Sequence, residues 1–327
     1  MKEKQNYISF ARVISAFAVV MIHINGNCFY EFNVDGCWSI SNILSSVLSF
    51  AVPVFLMITG VTLIDYSDRY STKEYFKRRV NKIVVPFIFW GCLIATLYRY
   101  YTGKMEAHLL YNFLVWQIGI YLIIPLFSYI QKEHREKIIF YIVIVSFVIN
   151  FLLPFIDKVF HIGYFYKIPF EVAQCYVMYP LVGYLIGKKE ITKNVRWIIY
   201  IIAGIALSVM IGGTHMYSVT SGKIDDRFLG YPYMTCLLYS IGVFVFIKEI
   251  GSCISNEKIL SMIEQMSGYT FSVYLIHWYI IDFIFTPYIS NTHTMLYKFV
   301  APVIVYIISL GLIWIARKIP LIRKVFP

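Results

Sequence analysis

Two residues able to do chemistry stand eleven positions apart near the start of the chain, in Ser9-Phe10-Ala11-Arg12-Val13-Ile14-Ser15-Ala16-Phe17-Ala18-Val19-Val20-Met21-Ile22-His23. The Arg12 guanidinium binds anions through a rigid fork of donors. The His23 imidazole, ordinarily titrating near pH 6.5, can take up and release a proton under physiological conditions. Ionisable groups inside an apolar stretch long enough to enter a bilayer are costly and mark function by default. The bland alternative is that Arg12 snorkels to the headgroups while His23 is a satisfied packing histidine.

A helix must hold the pair together. Eleven residues turn it through about 1100°, within about 20° of three full circles, and raise it about 16 Å. Arg12 and His23 therefore share one face, His23 lying about half a bilayer deeper. Ser15 and Ala16 keep that face narrow, and Asn27 follows His23 by one turn, so a polar stripe climbs an apolar helix.

Composition sets the surroundings. Hydrophobic residues make up 59% of 327 positions and charged residues 14%, which is the balance of a polytopic membrane protein rather than of a soluble domain. Ten stretches read as spans: residues 10–30, 41–65, 82–101, 109–130, 138–156, 168–187, 196–214, 228–248, 269–289 and 295–316. Each is near the ~20 residues a crossing helix needs. The first, despite Lys2 and Lys4 before it, is too long for a signal peptide and lacks a small-residue cleavage site, so it is expected to be retained. With no fixed-period repeat and no linker, residues 1–327 read as one all-α integral membrane domain in the cell membrane.

Lysine and arginine orient it. With the N-terminus inside, 22 of the 29 basic residues face the cytoplasm, leaving Arg99, Lys104, Lys158, Lys167, Lys223, Arg227 and Lys298 outside. The positive-inside rule then predicts both termini in the cytoplasm. The net charge of +11 is met by anionic lipid and calls for no nucleic acid. Between spans two and three, the segment containing Lys77, Arg78, Arg79 and Lys82 is either a lipid-binding stop-transfer patch or a site for a phosphorylated cytosolic ligand.

Further polar groups lie at depth. Glu171 and Gln174 open span six, three residues apart and so neighbours on a helix. Span nine carries Ser267, Thr270, Ser272, Tyr274, His277 and Asp282. Each alone reads as interhelical glue, but with His23 they predict a polar cavity, with Glu171, Gln174, Tyr274 and Asp282 as substrate-binding candidates. Six cysteines, at 28, 37, 92, 175, 236 and 253, show no metal spacing, and no metal is expected. Cys28 and Cys37 would both lie near the outer face, and their spacing leaves a disulfide open.

Arg12, ten intervening residues and His23 resemble the first-helix motif of the membrane acyltransferase 3 family, which O-acylates bacterial surface glycans and related acceptors. Val52-Pro53-Val54-Phe55-Leu56-Met57-Ile58-Thr59-Gly60 is similar to its second-helix Phe-x3-Ser-Gly signature, and Phe76-Lys77-Arg78-Arg79 through Pro86 to its basic loop. Ile120-Tyr121-Leu122-Ile123-Ile124-Pro125-Leu126, Gly183-Tyr184-Leu185-Ile186-Gly187 and Val273-Tyr274-Leu275-Ile276-His277 resemble later helices. Two departures stand out: Thr59 replaces the family's serine, and Leu110-Tyr111-Asn112-Phe113-Leu114 stands where a His-Leu-Trp-Phe-Leu element is expected.

The resemblance implies an acyltransferase taking an acyl group, most simply acetyl, from cytosolic acyl-coenzyme A to a hydroxyl of a cell-surface polysaccharide or its lipid-linked precursor. Acyl-CoA is then donor substrate, with Arg12, Lys77, Arg78, Arg79 and Lys82 meeting its phosphates. His23 acts as general base or acyl carrier, and His277 binds acceptor or orients His23. The competing class is a transporter or sensor for a small polar solute, built on the same midplane His, Glu and Asp. A third reading is an assembly protein of a polysaccharide locus, which leaves the Arg12 to His23 geometry without a purpose. Acyl group, acceptor and homo-oligomerisation stay open.

Overall fold

The computed structural model describes residues 2–33, 36–102, 111–163, 175–286, 294–320 and 322–327, and among these its regular structure is helical, without a strand. The helices are α1 (Lys2–Tyr30), α2 (Gly36–Leu48), α3 (Ala51–Leu63), α4 (Thr72–Arg79), α5 (Val85–Thr102), α6 (Tyr111–Ser128) and α7 (Lys132–Phe147). They continue with α8 (Leu153–Phe160), α9 (Cys175–Lys188), α10 (Lys193–Ser221), α11 (Met234–Cys253), α12 (Glu257–Tyr279) and α13 (Met295–Ala316). Most of each expected span falls on helix where it is described; the exceptions are a break at 49–50, the ends at 64–65 and 129–130, and residues 228–233, which form turns before α11 begins at Met234. Among the described residues, six segments are long and apolar enough to cross a membrane: Asn6–Tyr30, Gly36–Asp68, Lys132–Phe160, Lys193–Ser221, Met234–Cys253 and Met295–Ala316. This is the all-α membrane class that composition predicts, while a count of ten crossings and cytoplasmic ends remain inferences from basic-residue distribution.

The boundaries differ most at α12, which starts at Glu257 rather than 269. Glu257, Lys258 and Glu264 lower the hydropathy of its first turns, yet Asn256 caps it by accepting from the backbone N–H groups of Lys258 and Ile259 at 3.0 and 3.3 Å.

Prolines explain the irregular turns. The π-helical segments Val80–Val84 and Val148–Leu152 each end two residues before a proline, at 86 and 154. Proline has no N–H for the preceding turn and its ring presses on the carbonyl there, and a widened turn relieves both. The break between α2 and α3 has the same origin: Pro53 cannot donate to Ser49, and the helix restarts at Ala51.

α1 is the wedge of the bundle, in contact with α2, α3, α11, α12 and α13. Its Ala11, Ala18 and Val19 join a buried cluster with α3, α9 and α11, while Ala16, Val20 and Ile24 join a second with α12 and α13. The most extensive helix pair is α3 with α9. Gly60 and Gly183 permit it: a Cβ on Gly60 would run into the Pro180 carbonyl, and one on Gly183 into the backbone of Met57. Lipid offers no hydrophobic drive between helices, so close backbone approach over small residues supplies van der Waals contact instead.

One ionic cluster ties the Asp65 end of α3 to α6, α7 and α9. Asp65 accepts from Arg135 at 2.7 Å, from the Tyr184 hydroxyl at 2.9 Å and from Lys188 at 2.5 Å. Arg135, only 3% exposed, also donates to the Ser128 carbonyl at 2.6 Å. A guanidinium with this many acceptors can be buried without a large desolvation loss.

Candidate active site

The α1 face is built as its spacing predicts. Between Arg12 and His23, Ser15 and Ala16 are both buried. His23 projects toward α12, where its ring meets Trp278 edge to face at 4.6 Å between centroids and His277 at 5.0 Å. The two histidines that sequence places on separate spans are thus brought together.

His277 is 1% exposed and its orientation is fixed locally. Its Nδ1 lies 3.1 Å from the carbonyl of Val273, one turn earlier. A carbonyl only accepts, so the proton of the neutral ring sits on Nδ1 and Nε2 carries the lone pair. That Nε2 is buried without a hydrogen-bond partner, as is the indole N–H of the adjacent Trp278. Unpaired buried polar atoms are rare and require a reason; a base kept for an incoming hydroxyl is one such reason. Among the described residues, His23 likewise makes no hydrogen bond, so neither ring is committed to the other.

A cavity of about 180 Å³ lies nearer Arg12. Three cations line it, Arg12 from α1, Arg79 from the end of α4 and Lys82 from the π turn, together with Thr59, Gln117, Tyr121, Ser267, Thr270 and Tyr274. Phe55 and Phe271 supply apolar wall. Tyr274 joins the two halves of the site, since it lines the cavity and its ring lies 5.7 Å from that of His277. Among the described residues, no carboxylate pairs with Arg12, Arg79 or Lys82. The Arg79 guanidinium instead sits over the rings of Tyr121 and Tyr75 at 5.6 and 5.9 Å, with a buried Nε lacking a partner. Uncompensated cations in a cavity attract an anion.

The basic segment divides its labour by helix face. Tyr75 is buried and Arg79 follows it by one turn on the inward stripe, while Lys82, itself exposed, reaches the cavity from the π turn. Lys77 and Arg78 point away and are exposed. Arg78 bonds Glu74 at 2.8 Å and covers the ring of Tyr70 at 4.5 Å; it holds the Glu74 carboxyl below the usual range. Neither Lys77 nor Arg78 lines the cavity. Asp282 sits in the π turn Ile280–Phe285, exposed and apart from the cavity. Glu171 and Gln174 lie outside the described residues.

Gln117 is the functional candidate that sequence reasoning missed. It is 4% exposed and donates to the Thr59 hydroxyl at 3.2 Å, while Thr59 donates to the Phe55 carbonyl at 3.0 Å. The signal was a lone amide in the apolar run around Val115–Ser128. The pair also gives the hydroxyl at position 59 a task, that of holding Gln117 against the cavity wall.

A family model described as an acyltransferase domain matches residues 5–318. No curated protein and no solved structure matches the chain.

Proposed function

The chain belongs to the acyltransferase 3 family, and from that premise we propose that it is a membrane O-acyltransferase moving an acetyl group from cytosolic acetyl-coenzyme A to a glycan hydroxyl. The observation that carries the reading is a cavity lined by Arg12, Arg79 and Lys82 whose Tyr274 also lies against His277, the ring that meets His23. The cations suit the phosphates of the coenzyme, Arg12 and Arg79 through their forked donors and Lys82 as a point charge. The cavity then takes the pantetheine arm, delivering the thioester toward the histidines.

At that point a histidine nitrogen removes the proton of the acceptor hydroxyl while the oxygen attacks the thioester carbonyl. The carbon–sulfur bond breaks, the coenzyme thiolate takes up the proton, and an ester and free coenzyme A leave. His23 is the central group, and the fixed Nδ1–H of His277 keeps its Nε2 free to accept a proton or to orient His23. Closely packed Trp278 keeps bulk water from the thioester.

In this reading ten helices cross with both termini inside, which puts the cationic cavity on the cytoplasmic side and the far end of α1 outside. Glu171, Gln174 and Asp282 are proposed to meet an acceptor that arrives from the outer half. The test is purified protein in lipid nanodiscs with radiolabelled acetyl-coenzyme A and a lipid-linked glycan acceptor. Transfer, lost in His23→Ala, supports the proposal. An intact thioester in wild type, together with solute flux that His23 variants alter, would replace it with the transporter reading.

A further inference from the structure

At the end of α1 farthest from Arg12, the first turns of α2 and α13 close over a lysine and two cysteines. Lys298 is 1% exposed and sits in the first turn of α13, where unsatisfied backbone N–H groups already make a positive pole and disfavour a cation. Among the described residues, no carboxylate pairs with it. Its ammonium donates to the Cys37 carbonyl at 2.6 Å, to Cys28 Sγ at 3.2 Å and to the Ser41 hydroxyl. Of these three acceptors only the sulfur can carry a negative charge.

The second sulfur is beside the first. Cys28 Sγ and Cys37 Sγ are 3.2 Å apart. The chain ends bearing them are clamped independently, because the Trp38 indole donates to the Phe29 carbonyl at 3.1 Å and its ring stacks on that of Phe29. Two sulfurs held together, one against a buried ammonium, form the arrangement of a reactive dithiol: Cys37 is half-buried and open to an outside partner, while Cys28, 2% exposed beside the cation, is the thiolate behind it.

We propose that Cys28 and Cys37 are a redox pair that closes into a disulfide on the outer side of the membrane, with Lys298 favouring Cys28 as the thiolate that closes the bond. The compartment rests on the topology proposed above; the chemistry of the pair does not. The oxidant is the disulfide of an extracytoplasmic thiol oxidase. The thiolate of Cys37, the more accessible of the two cysteines, attacks one of its sulfurs, breaking that bond and releasing the other sulfur as a thiolate. The Cys28 thiolate then attacks Cys37 in the mixed disulfide, so the oxidase departs as a dithiol carrying both electrons and both protons. The product staples α1 to α2 five residues beyond His23.

The test counts thiols in the whole protein. Cells are quenched in acid, and the denatured protein is treated with a maleimide-polyethylene glycol with and without prior reduction. Wild type should gain two labels on reduction, and the Cys28→Ser, Cys37→Ser double variant none. Separately, pre-reduced protein in lipid is exposed to oxidised glutathione and the Cys28 to Cys37 linkage is followed by mass spectrometry of the bridged peptide. Lys298→Met should close about tenfold more slowly, as expected when a neighbouring cation no longer favours the thiolate; Lys298→Gln, which keeps donors without charge, should behave alike and serves if the methionine variant does not accumulate. Failure of the purified wild type to form the linkage overturns the pair, and closure of both lysine variants at the wild-type rate overturns the role of Lys298. Rapid closure in lipid with reduced thiols in cells overturns the outward placement, leaving acyl transfer to be judged by its own assay.

Discussion

The ring of His23 on α1 meets the ring of His277 on α12 edge to face, their centroids 5.0 Å apart, and the backbone of α12 itself sets the tautomer of the second ring through the Val273 carbonyl. The two positions therefore predict different losses. His23→Ala should lower acyl transfer by the roughly 10²- to 10⁴-fold expected for removing a general acid or base. His23→Gln should fail nearly as badly, because an amide cannot accept a proton near neutral pH. Transfer assays at saturating acetyl-coenzyme A measure both, and near-wild-type turnover in the glutamine variant would show that the ring acts only by shape.

His277→Asn separates positioning from chemistry. Its amide nitrogen can stand in for Nδ1 and still donate to Val273, so the fold should persist and donor KM should change little. Turnover should fall at least tenfold. His277→Leu instead removes the side-chain bond to the Val273 carbonyl, which keeps its backbone donor within α12; the cost, that of one hydrogen bond at about 0.5 to 1.5 kcal/mol, should lower the unfolding temperature in detergent. If both variants unfold alike with no selective loss of turnover, His277 is a packing residue.

The basic segment yields a contrast between neighbours. Arg79→Ala should raise KM for acyl-coenzyme A about 10- to 100-fold, the equivalent of ~1.5 to 3 kcal/mol for a hydrogen bond to a charged group, and the effect should shrink with added salt. Arg78→Ala should leave KM near wild type, because its guanidinium is engaged by Glu74 and Tyr70 on the outward face. Equal losses at both positions would mean that the coenzyme binds along the exposed surface rather than in the cavity.

That contrast shows how far sequence alone reaches. The Arg12 to His23 register was legible because a helix repeats every 3.6 residues and both side chains stand out from an apolar background. Which of Lys77, Arg78, Arg79 and Lys82 face inward was not, because four cations in six positions carry no periodic signal; the buried Tyr75, one turn before Arg79, decides it. The approach of His277 to His23 depends on α1 packing against α12, a tertiary contact invisible to local pattern. Gln117 was hidden for a related reason: a single amide in a span reads as glue until Thr59, 58 residues away, is brought to 3.2 Å.

Gly60 and Gly183 turn two short sequence signatures into one contact, since each lies where the opposing backbone of α9 or α3 leaves no room for a Cβ. Gly60→Ala and Gly183→Ala should each destabilise the bundle by at least ~1 to 3 kcal/mol, the range for overpacking a close-fitting core. Thermal unfolding in detergent measures this, and unfolding temperatures equal to wild type would mean that the helices can separate without loss.

Orientation is the premise on which donor entry from the cytoplasm depends, and reporter fusions address it directly. The split of basic residues, 22 on one side and 7 on the other, predicts that a fusion after Asp35 reads outside and one after Lys193 reads inside. A periplasmic alkaline phosphatase and a cytoplasmic fluorescent protein fused at each position should give opposite signals. The expected pattern places Arg12, Arg79 and Lys82 where a cytosolic coenzyme arrives, and Cys28 and Cys37 where an extracytoplasmic oxidant does. The reversed pattern would keep the helix count but strand the cationic cavity on the side without acyl-coenzyme A, and the proposed direction of transfer would fall. The same compartment for both fusions would require an odd number of crossings to be lost or gained between residues 35 and 193, and with it the ten-helix arrangement.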